Sequence, residues 1–180
     1  MIVTIAGKPG SGKSTVAKLL AKKLKFKVFS AGDLRGQIAI KHGMTIDQLN
    51  EVGKKERWTD EECDKLLAKM GKEQDNIIFD SRLAWHFVPN SLKIFLDVDL
   101  YESAKRIFAN QRKDEAKVST TKEMYDKLVA RQKGDVARFK KWYGVDVLDM
   151  KKYDAVIDTT KLSQKQVLKK VVEAVNKEIA

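Results

Sequence analysis

Residues 5–15, IAGKPGSGKST, contain the spacing Gly-x-x-x-x-Gly-Lys-Ser, in which each residue type has a chemical reason. The glycines let backbone N–H groups turn inward around phosphate oxygens, and the lysine bridges the β and γ phosphates of a nucleoside triphosphate. The serine hydroxyl suits Mg²⁺, and a helix that starts there adds its positive dipole end. The spacing therefore predicts an ATP site. The predicted ATP-binding residues are Gly7, Lys8, Pro9, Gly10, Ser11, Gly12, Lys13, Ser14 and Thr15.

The remaining sequence narrows the class of phosphate-loop protein. A GTPase would need a guanine-reading segment of the type Asn-Lys-x-Asp, and the sequence contains none. Motor proteins usually need a larger domain than this chain of 180 residues, which is the size of one domain. A kinase that acts on a small acceptor is therefore favoured, and we expect residues 1–180 to form a single domain.

The stretch SAGDLR, residues 30–35, follows a predicted strand and carries candidate acceptor-binding residues. Ser30 and the helix start that follows offer hydrogen-bond donors, and Asp33 completes the pattern. Arg35 has a planar guanidinium that can grip a phosphate with two hydrogen bonds. Simple helix capping by Ser30 and Asp33 is the alternative interpretation.

Asp80 ends another predicted strand, at the edge where open α/β sheets bind ligands. An aspartate beside a phosphate loop usually orients Mg²⁺, so Asp80 and Ser14 are the predicted metal site. Arg82, two residues on, can point into the same cleft and bind the acceptor. A surface arginine is the alternative there.

A later segment carries candidate lid residues. Arg131, Asp135 and Arg138 have the i, i+4 and i+3 spacing that places them on one helical face. They either form a surface ion-pair ladder or belong to a lid that neutralises charge on the transferring phosphoryl group. Arg112 lies at the start of the charged stretch 112–119, where a lid hinge is expected. The predicted catalytic cations are Lys13, Arg82, Arg112, Arg131 and Arg138.

The elements that must position these residues alternate between strand and helix, which predicts an α/β fold with a mostly parallel sheet. Short apolar runs predict strands at 2–6, 26–30, 76–80, 92–98 and 153–159, and the runs at 76–80 and 92–98 lack alternation, as expected for a parallel sheet covered on both faces. Apolar spacing and capping residues predict helices at 13–24, 33–42 and 45–56, from a capping box at Thr59 and Glu62 to near Gly71, from Asp99 to about Gln111, from Thr120 to about Tyr143, and after Ser163.

Composition limits the partners and the compartment. The net charge is +11, which suits either nucleic acid or small polyanions on a lysine-rich surface. The chain contains only seven arginines, so their positions are informative. One cysteine, no export signal and no long apolar run predict a cytoplasmic protein without a membrane segment.

Seven segments occur in order along nearly the whole chain and resemble the short archaeal-type cytidylate kinases of the nucleoside monophosphate kinase family. They are GKPGSGKST, SAGDL, FDSRLAWHF, KIFLDV, RIFANQR, YGVD and YDAVIDTTKLS. The phosphate loop alone indicates only a superfamily, whereas the ordered set is much more specific.

The resemblance implies a three-layer α/β/α P-loop kinase fold with a five-stranded parallel sheet in the order 2-3-1-4-5. It implies ATP with Mg²⁺ as donor, CMP or dCMP as acceptor, acceptor-binding helices within 33–73 and a lid loop at 112–119. Arg82 would hold the acceptor phosphate, with Arg131, Asp135 and Arg138 facing the CMP. Arg112 would lie near the adenine, with Thr159 and Lys161 close to the donor base. We expect a monomer that acts on small molecules.

Three positions depart from the family pattern. Gly36 stands where the family has an arginine, which is here at position 35. Ser81 replaces a glycine, and Leu83 stands where bacterial relatives carry a cytosine-reading aspartate. Two alternatives therefore stay open: a kinase for AMP, UMP or another small acceptor, and an ATP-dependent RNA- or ribosome-associated factor on a degenerate kinase fold.

Overall fold

The computed structural model describes residues 1–111 and 117–179 and contains one five-stranded, all-parallel sheet. The strand order is β2-β3-β1-β4-β5, which confirms the order that the resemblance implied. The strands are β1 (Ile2–Gly7), β2 (Lys27–Ser30), β3 (Ile77–Asp80), β4 (Leu92–Asp97) and β5 (Ala155–Asp158).

Helices join successive strands and cover both faces of the sheet. Within the described ranges, no helix is both long and apolar enough to span a bilayer. The helices are α1 (Lys13–Leu24), α2 (Ala31–Lys41), α3 (Ile46–Gly53), α4 (Trp58–Glu73), α5 (Ala84–Phe87), α6 (Leu100–Ala109), α7 (Thr121–Tyr143) and α8 (Gln164–Ile179), with a 3₁₀ turn at Met150–Lys152.

Different helices cover the two faces of the sheet. On one face, Val3 of β1 packs with Val16 of α1 and Val171 of α8. On the other, Phe79 of β3 packs with Leu67 of α4. Because both faces are buried, the central strands are continuous apolar runs, as the sequence predicted.

The register of the central strands places the chemistry at one edge. Ile5 of β1 lies opposite Asp80 of β3 and Ile94 of β4. Since parallel strands end at a common edge, Asp80 ends beside the loop that follows Gly7.

Four predicted helix starts are confirmed by their capping bonds. Thr45 accepts from the backbone of Gln48 at 3.2 Å, and the Gln48 side chain accepts from the Thr45 backbone at 2.8 Å. The side chains of Asp99 and Thr120 accept from the first turns of α6 and α7, and Ser163 does so for α8.

The predicted capping box at Thr59 and Glu62 is wrong. The helix α4 begins at Trp58 after Arg57, which makes no side-chain capping bond. Thr59 is buried inside the helix, and its hydroxyl donates to the backbone oxygen of Glu56 at 3.3 Å. Burial of Thr59 between helices therefore overrides a local pattern that would have made it a cap.

The helix is predicted to stop near Gly71, and α4 ends two residues beyond it, at Glu73. A Cβ at Gly71 would lie 2.5 Å from Cγ2 of Val88. Gly71 therefore serves close packing of α4 against the segment after α5 and does not end the helix.

We predict that Gly71→Ala lowers the free energy of unfolding by up to about 2 kcal/mol. Alanine gains about 1 kcal/mol of helix propensity over glycine, but overpacking a buried contact costs about 1–3 kcal/mol. Urea unfolding followed by circular dichroism measures the change. Gly134→Ala in α7 is the matched control, since its Cβ would meet only the flexible end of Lys54 at 3.2 Å. Equal effects of the two substitutions would contradict this account of Gly71.

Candidate active site

The phosphate loop joins β1 to α1 and lies against β4. A Cβ at Gly7 would be 2.3 Å from the backbone oxygen of Leu96, so only glycine allows this approach. The loop ends at Gly12, the N-cap of α1. The first-turn N–H groups of α1 point out of the helix there and can bind phosphate oxygens. Residues 7–15 therefore form one continuous anion cradle.

Contacts with α6 and with the end of β4 stabilise the phosphate loop. The hydroxyl of Ser103 in α6 donates to the backbone oxygen of Pro9 at 2.7 Å. The ammonium of Lys8 lies 2.7 Å from a carboxylate oxygen of Asp97, at the end of β4. These contacts direct the Lys8 side chain to Asp97 and leave the backbone to form the cradle.

Lys13, Ser14 and Asp80 meet at the inner end of the loop. The Ser14 hydroxyl donates to Oδ2 of Asp80 at 2.5 Å. Burial lowers the pKa of Lys13 to about 8; Asp80 opposes this shift, and Arg82 and Arg131 add to it. A phosphate bound against Lys13 would favour the protonated form, because an opposite charge nearby stabilises it.

The pair Ser14 and Asp80 fits Mg²⁺ that arrives with a nucleotide. Both donors are oxygens, and Mg²⁺ typically binds one or two carboxylates together with phosphates and several waters. Among residues 1–111 and 117–179, no group of three or more His, Cys, Asp or Glu side chains could hold a metal ion alone. The donor set therefore fits a metal that also needs phosphate oxygens.

A cleft of about 270 Å³ opens beside this pair, between the phosphate loop, α2, α4 and α7. The described part of its lining carries five cationic side chains and three carboxylates, so positive charge is in excess and an anionic ligand is favoured. The lining includes Pro9, Gly10, Lys13, Ser14, Ala31, Gly32, Arg35, Asp60, Cys63, Asp64, Leu67, Asp80, Ser81, Arg82, Leu83, Arg131, Arg138 and Phe139.

Two carboxylates connect the arginines of this cleft. Asp135 accepts from Arg82 and, at 3.1 Å, from Arg138. Asp60 pairs with Arg35 and lies 3.5 Å from Nε of Arg138. Asp135 and Arg138 are only 6% and 3% exposed, so the alternative of a surface ion-pair ladder is wrong for these two residues.

Burial and crowding act on the arginines themselves. Burial, with the charges of Arg131 and Arg138, holds the pKa of Arg82 well below its usual value. Burial also lowers the pKa of Arg35, against the attraction of Asp60. Positive charges this close repel each other, and a phosphate between them would relieve that repulsion.

Of the three candidate residues in the segment 30–35, only Arg35 lines the cleft. The Ser30 hydroxyl accepts from the backbone N–H of Asp33 at 3.2 Å, so the capping interpretation is confirmed for Ser30. Ala31, Gly32 and Arg35 line the cleft, whereas Ser30 and Asp33 do not.

The residues predicted near the donor base lie at the start of the loop after β5. The Thr159 hydroxyl is buried and donates to the backbone oxygen of Asp97 at 2.8 Å. Lys161 is exposed. Arg112 lies outside the described residues, so its predicted roles, and the lid hinge, stay predictions.

Arg106 contacts the phosphate loop, and sequence analysis assigned it no role. Its guanidinium donates to the backbone oxygens of Thr159 and Thr160 at 3.0 and 2.9 Å, and to that of Gly10 at 3.3 Å. It therefore joins the phosphate loop to the loop after β5. The scarcity of arginine was the signal that could have found it.

Comparison with known proteins decides the family. A family model described as an AAA domain matches residues 3–138. A cytidylate kinase of Methanosarcina acetivorans is 34% identical over 171 residues, which cover 93% of this chain and 92% of that protein. The chain belongs to the archaeal-type cytidylate kinase family. A second member, the cytidylate kinase of Methanocella arvoryzae, is 32% identical over 176 residues, covering 98% and 97% of the two chains.

Solved structures agree on the fold of this cytidylate kinase family member. A shikimate kinase from Bacteroides thetaiotaomicron superposes with a TM-score of 0.67 over 98% of both chains, at 12% identity. At that identity the likeness shows the P-loop kinase fold alone.

The backbone of this cytidylate kinase family member accommodates Ser81, which stands where the family pattern has a glycine. Among the described residues, only Lys25 and Asn76 combine a side chain with a positive φ. Ser81 therefore has an ordinary backbone, and its hydroxyl accepts from the N–H of Leu83 at 3.3 Å. The turn before Arg82 needs no glycine here.

We predict that ATP binding at pH 8 takes up about half a proton through Lys13. Its pKa of about 8 leaves it half protonated in the free protein, and the bound phosphates raise that pKa. At pH 6.5 the lysine is already charged, so its uptake disappears. Calorimetric titration with Mg²⁺-ATP in buffers of different ionisation enthalpy measures the protons. Lys13→Arg keeps a permanent cation and should show no uptake from this position. Equal uptake in both proteins would contradict the assignment.

We predict that Arg106→Ala weakens ATP binding about tenfold, equivalent to about 1.4 kcal/mol. The substitution frees two loops that Arg106 holds together and leaves their backbone oxygens without this donor. Calorimetric Kd values for Mg²⁺-ATP give the comparison. Lys105→Ala removes a neighbouring exposed cation on α6 and should leave the Kd within about twofold. If both variants bind ATP like the original protein, Arg106 does not position the loops.

Proposed function

We propose that this protein transfers the γ-phosphoryl group of ATP to a nucleoside monophosphate, specifically CMP or dCMP. The observation that carries the proposal is the cationic cleft, which begins at Lys13 of the phosphate loop and extends to Arg82 and Arg138. Two phosphate-bearing ligands would meet across it. The names of the two archaeal relatives support cytidylate as the acceptor.

The reaction needs positioning and charge neutralisation more than it needs a protein nucleophile. The attacking atom is a phosphate oxygen of the acceptor, which is already ionised at neutral pH. The phosphate-loop amides and Lys13 hold the donor phosphates. Mg²⁺, bound to the nucleotide and held by Ser14 and Asp80, would neutralise charge on the donor phosphates.

The cleft arginines would bind the acceptor and spread the charge of the transferring group. Arg82 follows β3 and is the proposed ligand of the acceptor phosphate. Arg131 and Arg138 line the same cleft from α7. In this proposal Asp135 orients Arg82 and Arg138, both of which it already contacts.

The remaining site assignments complete the proposal. Residues 1–180 would act as one kinase domain, with acceptor-binding helices within 33–73 and a lid loop at 112–119. Arg112 would contact the donor nucleotide from that lid, and Lys161 would lie near its base. Arg35 would support the acceptor end through Asp60 and not as a first contact, because its guanidinium is already bound there.

The test is ADP formation from Mg²⁺-ATP with each nucleoside monophosphate in turn. We expect acceptor-dependent turnover with CMP or dCMP in preference to AMP and UMP. Lys13→Ala and Arg82→Ala should each lower kcat/KM by about 100-fold or more, because each removes a cation beside the transferring phosphoryl group.

Lys18→Ala is the matched control, since Lys18 is exposed on the same helix as Lys13. It should leave kcat/KM within about twofold. If none of the nucleotides supports acceptor-dependent ADP formation, the proposal is overturned, and RNA binding becomes the next property to measure. A strong preference for AMP or UMP would keep the reaction class and replace the acceptor.

A further inference from the structure

One face of α4 forms a wall of the acceptor cleft and carries two carboxylates. Asp60, Cys63, Asp64 and Leu67 follow the i, i+3, i+4, i+7 spacing of a single helical face, and all four line the cleft. The wall therefore presents acids one helical turn apart, with an apolar side chain beyond them.

The two carboxylates have different surroundings. Asp60 is neutralised by Arg35, with which it pairs, and by Arg138, whose Nε lies 3.5 Å away. In contrast, the described residues offer Asp64 one hydrogen bond, from the Tyr143 hydroxyl to Oδ2. Its Oδ1 is left to accept from a ligand in the cleft.

Asp64 is suited to an uncharged donor and not to a phosphate. A carboxylate repels a phosphate, and the cations Lys13 and Arg82 already define the phosphate end of the cleft. Leu67, Leu83 and Phe139 supply apolar lining that can contact the flat faces of a base. The polar edge of that base would then meet Asp64.

The exocyclic group on this edge differs between nucleobases. Cytosine and adenine carry an amino donor, whereas uracil carries a carbonyl acceptor in the corresponding place. A carboxylate accepts from the cytosine amino group and repels the uracil oxygen. A buried polar group that is built for one partner discriminates strongly against an analogue that lacks it.

We propose that Asp64 is a specificity-determining residue: its carboxylate accepts a hydrogen bond from the amino group of the acceptor base and so selects cytosine over uracil. This inference rests on the proposed function and adds to it a residue that reads the base. Asp64 on α4 would thus take the place of the cytosine-binding aspartate that bacterial relatives carry after β3, where this chain has Leu83.

Tyr143 is a positioning residue in this arrangement. It ends α7, donates to Oδ2 of Asp64, and lies under the guanidinium of Arg57 at 5.5 Å. In this proposal the bond holds Oδ2 and leaves the other oxygen, Oδ1, to accept from the base. Tyr143→Phe removes the bond and keeps the ring, so it should weaken base discrimination less than loss of the carboxylate does.

The test is the ratio of kcat/KM for CMP to that for UMP in the original protein and in Asp64→Asn. The amide keeps the size of the side chain and offers a donor to uracil as well as an acceptor to cytosine. We expect the ratio to favour CMP in the original protein and to fall by at least about tenfold in the variant. The KM for ATP should stay unchanged, which a general loss of structure would not allow.

The variant should fold, because burial raises the pKa of Asp64 to about 6, and a neutral amide avoids burying a charge. Glu62→Gln is the matched control, since Glu62 is exposed on the same helix and should leave the ratio unchanged. Thermal unfolding of each variant confirms the fold.

The outcomes separate this inference from the proposed function. Turnover of CMP with an unchanged CMP-to-UMP ratio in Asp64→Asn would overturn the role of Asp64 and leave the kinase reaction standing. A preference of the original protein for UMP would also overturn it. Absence of turnover with every monophosphate would overturn the proposed function and this inference together.

Discussion

Asp60 and Asp135 are the two buried carboxylates that allow three arginines to share one side of the cleft. Asp135 accepts from the guanidinium groups of Arg82 and Arg138, whereas Asp60 pairs with Arg35 and lies 3.5 Å from Nε of Arg138. Removing one partner from a buried ion pair is costly, because it leaves the other charge desolvated and uncompensated. The positions of α2, α4, α7 and the turn after β3 are therefore coupled through this network.

The network does not neutralise the cleft completely. Positive side chains remain in excess over carboxylates among the described lining residues, and the pKa of Lys13 and Arg82 are lowered by burial and by neighbouring cations. Such an arrangement is electrostatically unfavourable in the protein alone and becomes favourable when anions enter. The site therefore has a preorganised charge that two phosphate-bearing ligands would complete.

The sheet and the phosphate loop could be predicted from the sequence, because their signals are local. The apolar runs at 2–6 and 76–80 predict buried parallel strands directly, and the glycine spacing predicts the loop. Asp80 could be placed because strand ends of a parallel sheet share one edge.

The errors came from residues whose role is set by distant neighbours. Thr59 has the local pattern of a cap and is instead buried between helices. Gly71 lies near the end of α4, as predicted, and its own role is the packing contact with Val88. Asp60 and Asp64 were indistinguishable in the sequence from ordinary acids on a helix surface. Only the position of α4 against the cleft reveals that one is bound by arginines and the other by a tyrosine.

The contact at Gly71 also limits the position of α4, one face of which lines the cleft. Gly71 lies about two helical turns beyond Asp64, roughly 10 Å along the axis of α4. Since no side chain separates the helix from Val88, α4 cannot shift along its axis without opening a void or forcing an overlap there. Gly71 does not line the cleft, yet its contact with Val88 keeps the carboxylates of Asp60 and Asp64 on α4 at one position along the cleft.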